Sequence, residues 1–333
     1  MSNNRCSFCI RMRKPLQKGG KQKMITYKEL SSLEEDLGFS RKALYSLSNR
    51  VDFHYREVLI PKGSGEFRKL NVPDDELKAV QRKIAEVILP LREISPYAAA
   101  YRPGGSPLRG ALPHVGKKCM LKLDIRHFFD KITYAQVRKA AFPPWAFSEA
   151  NSALLSSLCC FNDCLPQGAP SSPAISNIVM FDFDNTVGKW CGKRGISYTR
   201  YCDDLTFSGD FEPGEVKDFV ASELRKLGFY LNEKKTVFVR DGQRMSVTGI
   251  VVNKKPGISS AYKRKLRQEM YYCTKFGIAE HLIVKGIRET EEAYLRKLLG
   301  RVSYVLSVEP DNREFAEYRN KLISSLSGYC QKP

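Results

Sequence analysis

Two adjacent aspartates, Asp203 and Asp204, are the residues whose type and spacing best suit metal chemistry in this sequence. Neighbouring carboxylates repel each other, so a fold that holds them together needs a compensating partner. Hard oxygen ligands suit Mg²⁺, which prefers one or two carboxylates together with the phosphate oxygens of a substrate. For an isolated pair, a solvated Asp-Asp turn is the plain alternative. The flanking residues therefore decide between the two interpretations.

The aspartate pair lies between two short runs in which apolar side chains alternate with polar ones. Tyr198 belongs to the first run and Phe207 to the second. This alternation predicts a β-hairpin with the aspartates at or beside its turn. A third acid, Asp124, ends the apolar run of residues 119–123. A carboxylate at the end of a buried strand is costly unless it has a partner or a metal.

Three carboxylates can hold two divalent ions, which would act on both oxygens of an in-line phosphoryl displacement. One ion would lower the pKa of a primer hydroxyl, and the other would neutralise charge on the triphosphate. This is the machinery of nucleotidyl transfer. The expected cofactor is two Mg²⁺ ions, with Mn²⁺ as an alternative.

The charge of the chain indicates an anionic polymer as its partner. Its 333 residues include 55 Lys and Arg against 36 Asp and Glu, which gives a net charge of +19. Such an excess is typical of nucleic-acid-binding proteins, with an acidic membrane surface as the second candidate. The sequence contains no run of 18 apolar residues, so no membrane-spanning helix is predicted. The sequence has ten cysteines and no apparent secretory signal, which favours the reducing cytoplasm as the location of the protein.

The rest of the chain shows patterns of elements that could support such a site. Two short helices are predicted within residues 26–49, with Thr26 and Ser40 as N-caps, and a hairpin is predicted around the turn at 61–65. The other predicted elements are helices over 73–90, 134–161 (with Trp145 and Phe147 in the core), 174–190 and 216–227, strands over 119–125, 229–232, 236–239 and 246–252, and a basic helical region from Lys254. Cys6 and Cys9 have metal-ligand spacing, but no second pair follows, so a zinc site is not expected.

Four ordered motifs resemble those of the reverse transcriptase family. Residues 201–204 (YCDD) match its YxDD box, and Asp124 with Phe128-Phe129 matches the strand that carries the first catalytic aspartate. Residues 165–173 (LPQGAPSSP) match the LPQGxxxSP box, and residues 232–236 (NEKKT) are similar to its NxxKT stretch.

Within that family the chain is most similar to the bacterial retron reverse transcriptases. Residues 247–249 match their VTG signature. Residues 110–114 (GALPH) resemble their NAxxH signature, with Gly110 in place of Asn. The compact length also fits, because no endonuclease or RNase H region is expected.

The resemblance implies an α+β fold of the right-hand polymerase type, with fingers, a palm built on an antiparallel sheet with helices, and a short helical thumb. The expected division is a basic tail at 1–25, a helical segment at 26–60, fingers and palm at 61–253, and an RNA-binding thumb at 254–333.

The implied activity is that of a retron RNA-directed DNA polymerase. Such enzymes copy part of a partner noncoding RNA into branched, RNA-linked single-stranded DNA (msDNA), and with an effector protein they act in defence against phage. Three other compact bacterial enzymes remain as alternatives: a group II intron protein, a diversity-generating enzyme and an abortive-infection polymerase. An inactive RNA-binding protein on the same scaffold is the alternative from a different class.

The site residues expected from the motifs form three groups. The metal and catalytic group is Asp124, Asp203 and Asp204, with the backbone carbonyl of Ile125. The dNTP group is Arg68 and Lys69 from a basic hairpin, which could equally be solvated, together with Phe129, Gln167 and Lys235. Phe129 holds the family position of an aromatic gate against ribose, and Phe128 is expected in the core. The RNA group is His114, Val247, Thr248, Gly249, Lys263, Arg264, Lys265 and Arg267.

Overall fold

A small helical lobe opens the computed structural model, which describes residues 26–61 and 65–328. Helix α1 (Leu30–Leu37) and helix α2 (Arg41–Asn49) bury the leucines that face the core. Ser40 caps α2 as predicted, because its Oγ accepts a hydrogen bond from the Ala43 N–H. The predicted cap at Thr26 is wrong, since Glu29 precedes α1 and no side chain caps it. The predicted basic tail and Cys6–Cys9 lie outside the described residues.

A two-stranded hairpin follows, as the sequence predicts. Strands β1 (Tyr55–Pro61) and β2 (Phe67–Pro73) pair antiparallel from Tyr55 opposite Pro73 to Pro61 opposite Phe67. The hairpin therefore spans the predicted boundary between residues 60 and 61. Asp74 then caps helix α3 (Asp75–Lys83) through a 3.0 Å bond from the Leu77 N–H.

The central sheet has four antiparallel strands in the order β4–β5–β3–β6. Its strands are β3 (Cys119–Asp124), β4 (Ser197–Tyr201), β5 (Asp204–Gly209) and β6 (Val237–Arg240). Leu121, Leu123 and Phe207 lie in the larger hydrophobic core, which also takes in the helices. The predicted hairpin around the aspartate pair is confirmed, because β4 and β5 are adjacent and antiparallel.

Six helices accompany this sheet: α4 (Pro107–Ala111), α5 (Tyr134–Ala141), α6 (Glu149–Cys159), α7 (Ser172–Val179), α8 (Phe181–Gly192) and α9 (Pro213–Lys226). The single helix predicted over 134–161 is two helices, because Pro143 and Pro144 cannot continue α5. The helix predicted over 174–190 is likewise two helices, which meet at Met180.

The two aromatic core residues predicted near this break have different fates. Phe147 is buried and stacks on Tyr27 with ring centroids 5.5 Å apart. Trp145 is 52% exposed, so its predicted place in the core is wrong. The proline turn directs Trp145 outward, where the Arg92 guanidinium lies 4.8 Å from the ring centroid.

A second sheet and four helices complete the described chain. Strands β7 (Ser246–Val247), β8 (Ile250–Val251) and β9 (Gly257–Ile258) form a small antiparallel sheet. The helices are α10 (Ser260–Phe276), α11 (Ile278–Lys285), α12 (Glu291–Val308) and α13 (Arg313–Ser327). A second hydrophobic core joins these elements to Met120 of β3 and Ala111 of α4.

Two strand predictions in this part of the chain need correction. The strand predicted over 246–252 is a tight hairpin, because Thr248 (φ 47°) and Gly249 (φ 86°) reverse the chain in left-handed conformations. Residues 229–232 are not a strand and form only an isolated bridge between Leu231 and Ile125.

Candidate active site

The three predicted catalytic aspartates lie together at the ends of the two inner strands of the central sheet. Asp124 is the last residue of β3, and Asp204 is the first residue of β5 and its register partner. Asp203 lies in the turn between β4 and β5, and its carbonyl accepts a 3.0 Å hydrogen bond from the Ile125 N–H. Antiparallel pairing thus brings together acids that are far apart in the sequence.

Negative charge is concentrated at these strand ends. Partial removal from water, together with the neighbouring carboxylates of Asp203 and Asp124, raises the pKa of the Asp204 carboxyl to about 6. Lys235 offsets part of the charge, because its Nζ lies 2.7 Å from Asp124 Oδ2. This contact raises the pKa of the Lys235 ammonium.

The donor set suits a divalent metal site. Carboxylate oxygens are the ligands that Mg²⁺ prefers, and a bound cation would relieve the repulsion that raises the Asp204 pKa. Across residues 26–61 and 65–328, no group of three or more His, Cys, Asp or Glu side chains is arranged so that it could hold a metal ion. The positive charge beside Asp124 is instead that of Lys235. The three aspartates therefore match the predicted metal in the type of donor atom that they offer, and their side chains do not form a closed site.

Asn232 is a site residue that the sequence analysis missed. Its N–H donates to the Asp124 carbonyl at 2.8 Å, and its side-chain amide donates to Asp124 Oδ1 at 3.2 Å. It fixes the carboxylate from the side opposite the Asp203 turn. The signal was its place as the first residue of the NEKKT motif, of which the analysis used only Lys235.

The loop that carries Gln167 connects the hairpin to the segment after Asp124. The Gln167 carbonyl accepts a 2.9 Å bond from the Asn71 N–H of β2, while the Leu165 N–H donates to Ile132 at 2.9 Å. Gly168 (φ 135°) allows this approach, since a Cβ there would lie 2.7 Å from the Asn71 carbonyl oxygen. Gln167 itself is partly exposed.

The predicted pair Arg68 and Lys69 is divided by strand geometry. Successive side chains of β2 point to opposite faces, so these two cations cannot extend from one face. Lys69 is opposite Leu59 in the register and forms an ion pair with Glu57. Arg68 is opposite Ile60 and is exposed.

The two phenylalanines after Asp124 occupy different environments. Phe128 is buried and packs on Phe229 with ring centroids 5.8 Å apart, as its predicted place in the core requires. Phe129 is only partly buried and meets Phe128 edge to face at 5.3 Å. The partly open ring is therefore the one at the predicted gate position.

Comparison with known proteins identifies the family of the chain. A family model described as reverse transcriptase (RNA-dependent DNA polymerase) matches residues 60–256. The chain is 31% identical to the retron Ec86 reverse transcriptase of Escherichia coli, over 88% of this chain and 89% of that protein. It is also 32% identical to the retron Mx65 reverse transcriptase of Myxococcus xanthus, over 80% of this chain. The chain belongs to the retron reverse transcriptases.

The matched lengths differ between relatives, since this chain covers only 64% of the Mx65 protein. A telomerase structure from Candida albicans, in complex with a fragment of telomeric RNA, aligns at 13% identity and a TM-score of 0.46, over 82% of this chain and 57% of that one. The expected α+β right-hand polymerase fold is that of the family.

Over the described part of this reverse transcriptase, no helix has the length and apolar content needed to cross a membrane.

His114, predicted to bind RNA, is fully buried in this reverse transcriptase. Its Nδ1 lies 2.7 Å from Ser208 Oγ and its Nε2 lies 2.8 Å from Thr199 Oγ1. Thr199 Oγ1 donates its proton to the Gly110 carbonyl, so it accepts from Nε2–H. Direct contact with RNA is thus wrong for this side chain, which ties the turn after α4 to strands β4 and β5.

Burial lowers the pKa of the His114 imidazole to about 3, with help from the positive charges of Lys117 and Lys122. The ring is therefore neutral in the folded protein. It cannot supply charge to a phosphate.

The VTG residues divide between core and surface. Val247 is 2% exposed and belongs to the second core, so its predicted contact with RNA is also wrong. Thr248 Oγ1 donates to the Pro107 carbonyl of α4 at 3.2 Å, and Gly249 is exposed. The two retron signatures, VTG and GALPH, therefore pack against each other through α4.

The predicted basic run on α10 also divides into two pairs. Lys263 binds Glu309 at 2.8 Å and Arg267 binds Glu314 at 2.7 Å, which joins α10 to the start and approach of α13. Arg264 and Lys265 are exposed. Only the second pair is presented to solvent without a described ion pair to an acid.

Proposed function

We propose that this chain is an RNA-directed DNA polymerase that extends a primer along an RNA template by metal-assisted nucleotidyl transfer. One observation carries the proposal: Asp124, Asp203 and Asp204 lie at the adjacent ends of β3 and β5, close enough for the charges of Asp203 and Asp124 to raise the pKa of the Asp204 carboxyl. Family membership supports the same chemistry.

The proposed roles follow from where each side chain lies. Asp124, Asp203 and Asp204, with the Ile125 carbonyl, would hold two Mg²⁺ or Mn²⁺ ions, which when bound activate the primer hydroxyl and neutralise the triphosphate. Asn232 orients the Asp124 carboxylate by one hydrogen bond from its side-chain amide, while its backbone N–H bonds to the Asp124 carbonyl. Lys235 stands beside Asp124 and can donate a proton to departing pyrophosphate.

The incoming nucleotide would be held by the hairpin and the loop docked on it. Arg68 would provide a cation for the triphosphate, and Lys69, which lies on the other face of β2 and is paired with Glu57, would contribute less. Gln167 and Phe129 would line the base and sugar, since Ile132 bonds both to Phe129 and to the Leu165 end of the Gln167 loop. The domain division is proposed as above, with β1 assigned to the fingers.

The proposed partner is a noncoding RNA that is both template and primer, copied into branched RNA-linked DNA in the cytoplasm. The retron names of the relatives support this, as does the net charge of +19. With an effector protein, the product would serve in antiphage defence. Thr248, Gly249, Arg264 and Lys265 are the proposed RNA contacts that remain open to solvent.

The test of the polymerase proposal is incorporation of labelled dNTP on a primed RNA, with and without Mg²⁺. Asp203→Asn with Asp204→Asn should abolish incorporation and leave RNA affinity nearly unchanged, because the phosphate contacts remain. Retained cDNA synthesis by this double variant would disprove the assigned site. A wild-type chain that binds RNA but incorporates nothing would favour the inactive RNA-binding alternative.

A further inference from the structure

A buried polar cluster lies beneath the turn that carries Asp203. Its centre is Arg200 of β4, whose side chain is completely buried beside the equally buried Asp184 of α8. The Arg200 Nε and Nη2 donate to the Asp184 carboxylate, with Nη2–Oδ2 at 2.6 Å. Nη2 also donates to Asn177 Oδ1 at 3.0 Å. The guanidinium is thereby fixed in orientation by two helices.

The remaining nitrogen of that guanidinium reaches the catalytic turn. Arg200 Nη1 donates a 3.0 Å hydrogen bond to the carbonyl of Cys202, the residue directly before Asp203. Cys202 has a φ of 62°, a left-handed conformation that is rare for a residue with a side chain. Such a conformation persists only where the surroundings determine it strongly. The Arg200 bond is one of those determinants.

The same cluster holds the loop on the other side of the turn. Asn177 Nδ2 donates to the carbonyls of Ala100 and Tyr101, at 2.8 and 3.1 Å. Tyr101 is itself left-handed, with a φ of 53°. The Arg200 carbonyl also accepts from the Ala99 N–H at 2.8 Å. The left-handed segments at Cys202 and Tyr101 are therefore both held by hydrogen bonds from the cluster that contains the Arg200–Asp184 pair.

We propose that Arg200 is a positioning residue for catalysis, which sets the place of the Asp203 carboxylate through the Cys202 carbonyl while Asp184 and Asn177 hold the guanidinium. The proposal rests on the proposed polymerase function. It does not make Arg200 a ligand or a contact of substrate, since the side chain is fully buried.

The alternative is that the ion pair only stabilises the fold. Buried ion pairs are poor stabilisers, and apolar residues of similar volume often replace them without loss. A planar fork with five donors is needed to reach Asp184, Asn177 and Cys202 at once, which one ammonium cannot do. The geometry therefore demands arginine for orientation more than for stability.

The test uses the full chain with Arg200→Met and Asp184→Leu combined, which removes both charges and preserves volume. Its melting temperature should fall modestly, because Tyr198, Asn177 and the Cys202 carbonyl lose buried hydrogen-bond partners, while its affinity for a poly(rA)–oligo(dT) primer–template should stay within about threefold. We expect kcat to fall about 100-fold, because a displaced reacting group costs that much. Arg200→Lys should lose kcat as well, since the ammonium cannot span the three partners.

Tyr198→Phe is the matched control. It removes a 2.8 Å hydrogen bond to the same Asp184 carboxylate but leaves the Arg200 bond to Cys202. This variant should lose some thermal stability and retain kcat. If it lost kcat as strongly as the double variant, or if the double variant retained wild-type kcat, the positioning role would be overturned.

Amide hydrogen exchange tests the same inference without any catalysis, so failure of the polymerase proposal cannot obscure it. In the double variant, the amides of residues 201–204 should exchange at least about tenfold faster, while those of β3 keep their protection. Unchanged protection of the turn would refute the inference even in an active enzyme. Faster exchange in a chain without polymerase activity would refute the polymerase proposal alone.

Discussion

At the scale of single residues, the two phenylalanines after Asp124 show how neighbours on a chain can have separate tasks. Phe128 is buried against Phe229, while Phe129 stays partly open next to the segment that contacts the Gln167 loop. A ring that packs under the sugar would leave no room for a 2′-hydroxyl.

Phe129→Ala should therefore admit ribonucleotides while sparing much of the dNTP activity. Overpacking costs about 1–3 kcal/mol, so the ratio of kcat/KM for dCTP over CTP should fall about tenfold to hundredfold. Phe128→Ala is the control, and it should lower stability without changing that ratio. An unchanged ratio in Phe129→Ala would exclude the gate, and a changed ratio in Phe128→Ala would move it by one residue.

His114 predicts a pH dependence of stability. Its pKa is about 3 when folded and near 6.5 in the unfolded chain, so the unfolded state binds more protons between these values. Stability should thus fall as pH drops below 6.5, by about 2 kcal/mol from pH 7 to pH 5 from this group. Denaturant unfolding of His114→Gln should show that much less acid destabilisation than wild type. His127→Gln, which removes an exposed ring, controls for the loss of a histidine; equal pH dependence in all three proteins would contradict the assignment.

Sequence alone predicted that Asp124, Asp203 and Asp204 would lie together, because the motifs that carry them place each acid at the end of a strand. It failed where burial decides the role. Nothing in the letters of GALPH or VTG shows that His114 and Val247 face inward, since that depends on α4 packing against the second sheet. Arg200 was likewise invisible as a positioning residue, because its partners Asp184 and Asn177 come from separate helices.

At the scale of elements, the β1–β2 hairpin is where the sequence pattern and the register agree most fully. The pattern could not reveal that β2 docks on Gln167 through Asn71, a contact between segments distant in sequence. Nor could it break the helix at Met180 or predict the reversal at Thr248, both of which depend on tertiary packing.

The hairpin predicts different effects for its two adjacent cations. Arg68→Ala should raise the KM for dNTP several-fold with primer–template affinity unchanged, because a phosphate contact would be lost. Lys69→Ala should raise it less, since its ammonium is engaged with Glu57. Steady-state kinetics on one template compare the two. A KM unaltered in Arg68→Ala would remove Arg68 from the nucleotide site.

At the scale of the whole molecule, the excess positive charge must be sorted into cations that hold the protein together and cations that face a partner. The α10 run contains both kinds. Lys263 and Arg267 are paired with Glu309 and Glu314, whereas Arg264 and Lys265 are exposed.

Replacing Arg264 and Lys265 with Ala should flatten the salt dependence of RNA binding by a log–log slope of about 1.4 to 1.8, because each phosphate contact releases counterions. Replacing Lys263 and Arg267 instead should lower thermal stability and change the slope less. Filter binding of one structured RNA across a salt series measures both. A slope that depends on the paired cations and not on the exposed ones would reverse this assignment.

Strand β3 places neighbouring side chains in two different hydrophobic cores. Leu121 and Leu123 belong to the larger core, whereas Met120 belongs to the second core together with Val302 and Phe315 of α12 and α13. Strand β3 thus contributes side chains to both hydrophobic cores. Removing everything beyond residue 253 would expose Met120 of this strand and the apolar face of β7 and β8 to water. The parts of the enzyme named palm and thumb should therefore unfold together in one cooperative transition, and neither part should stay folded without the other.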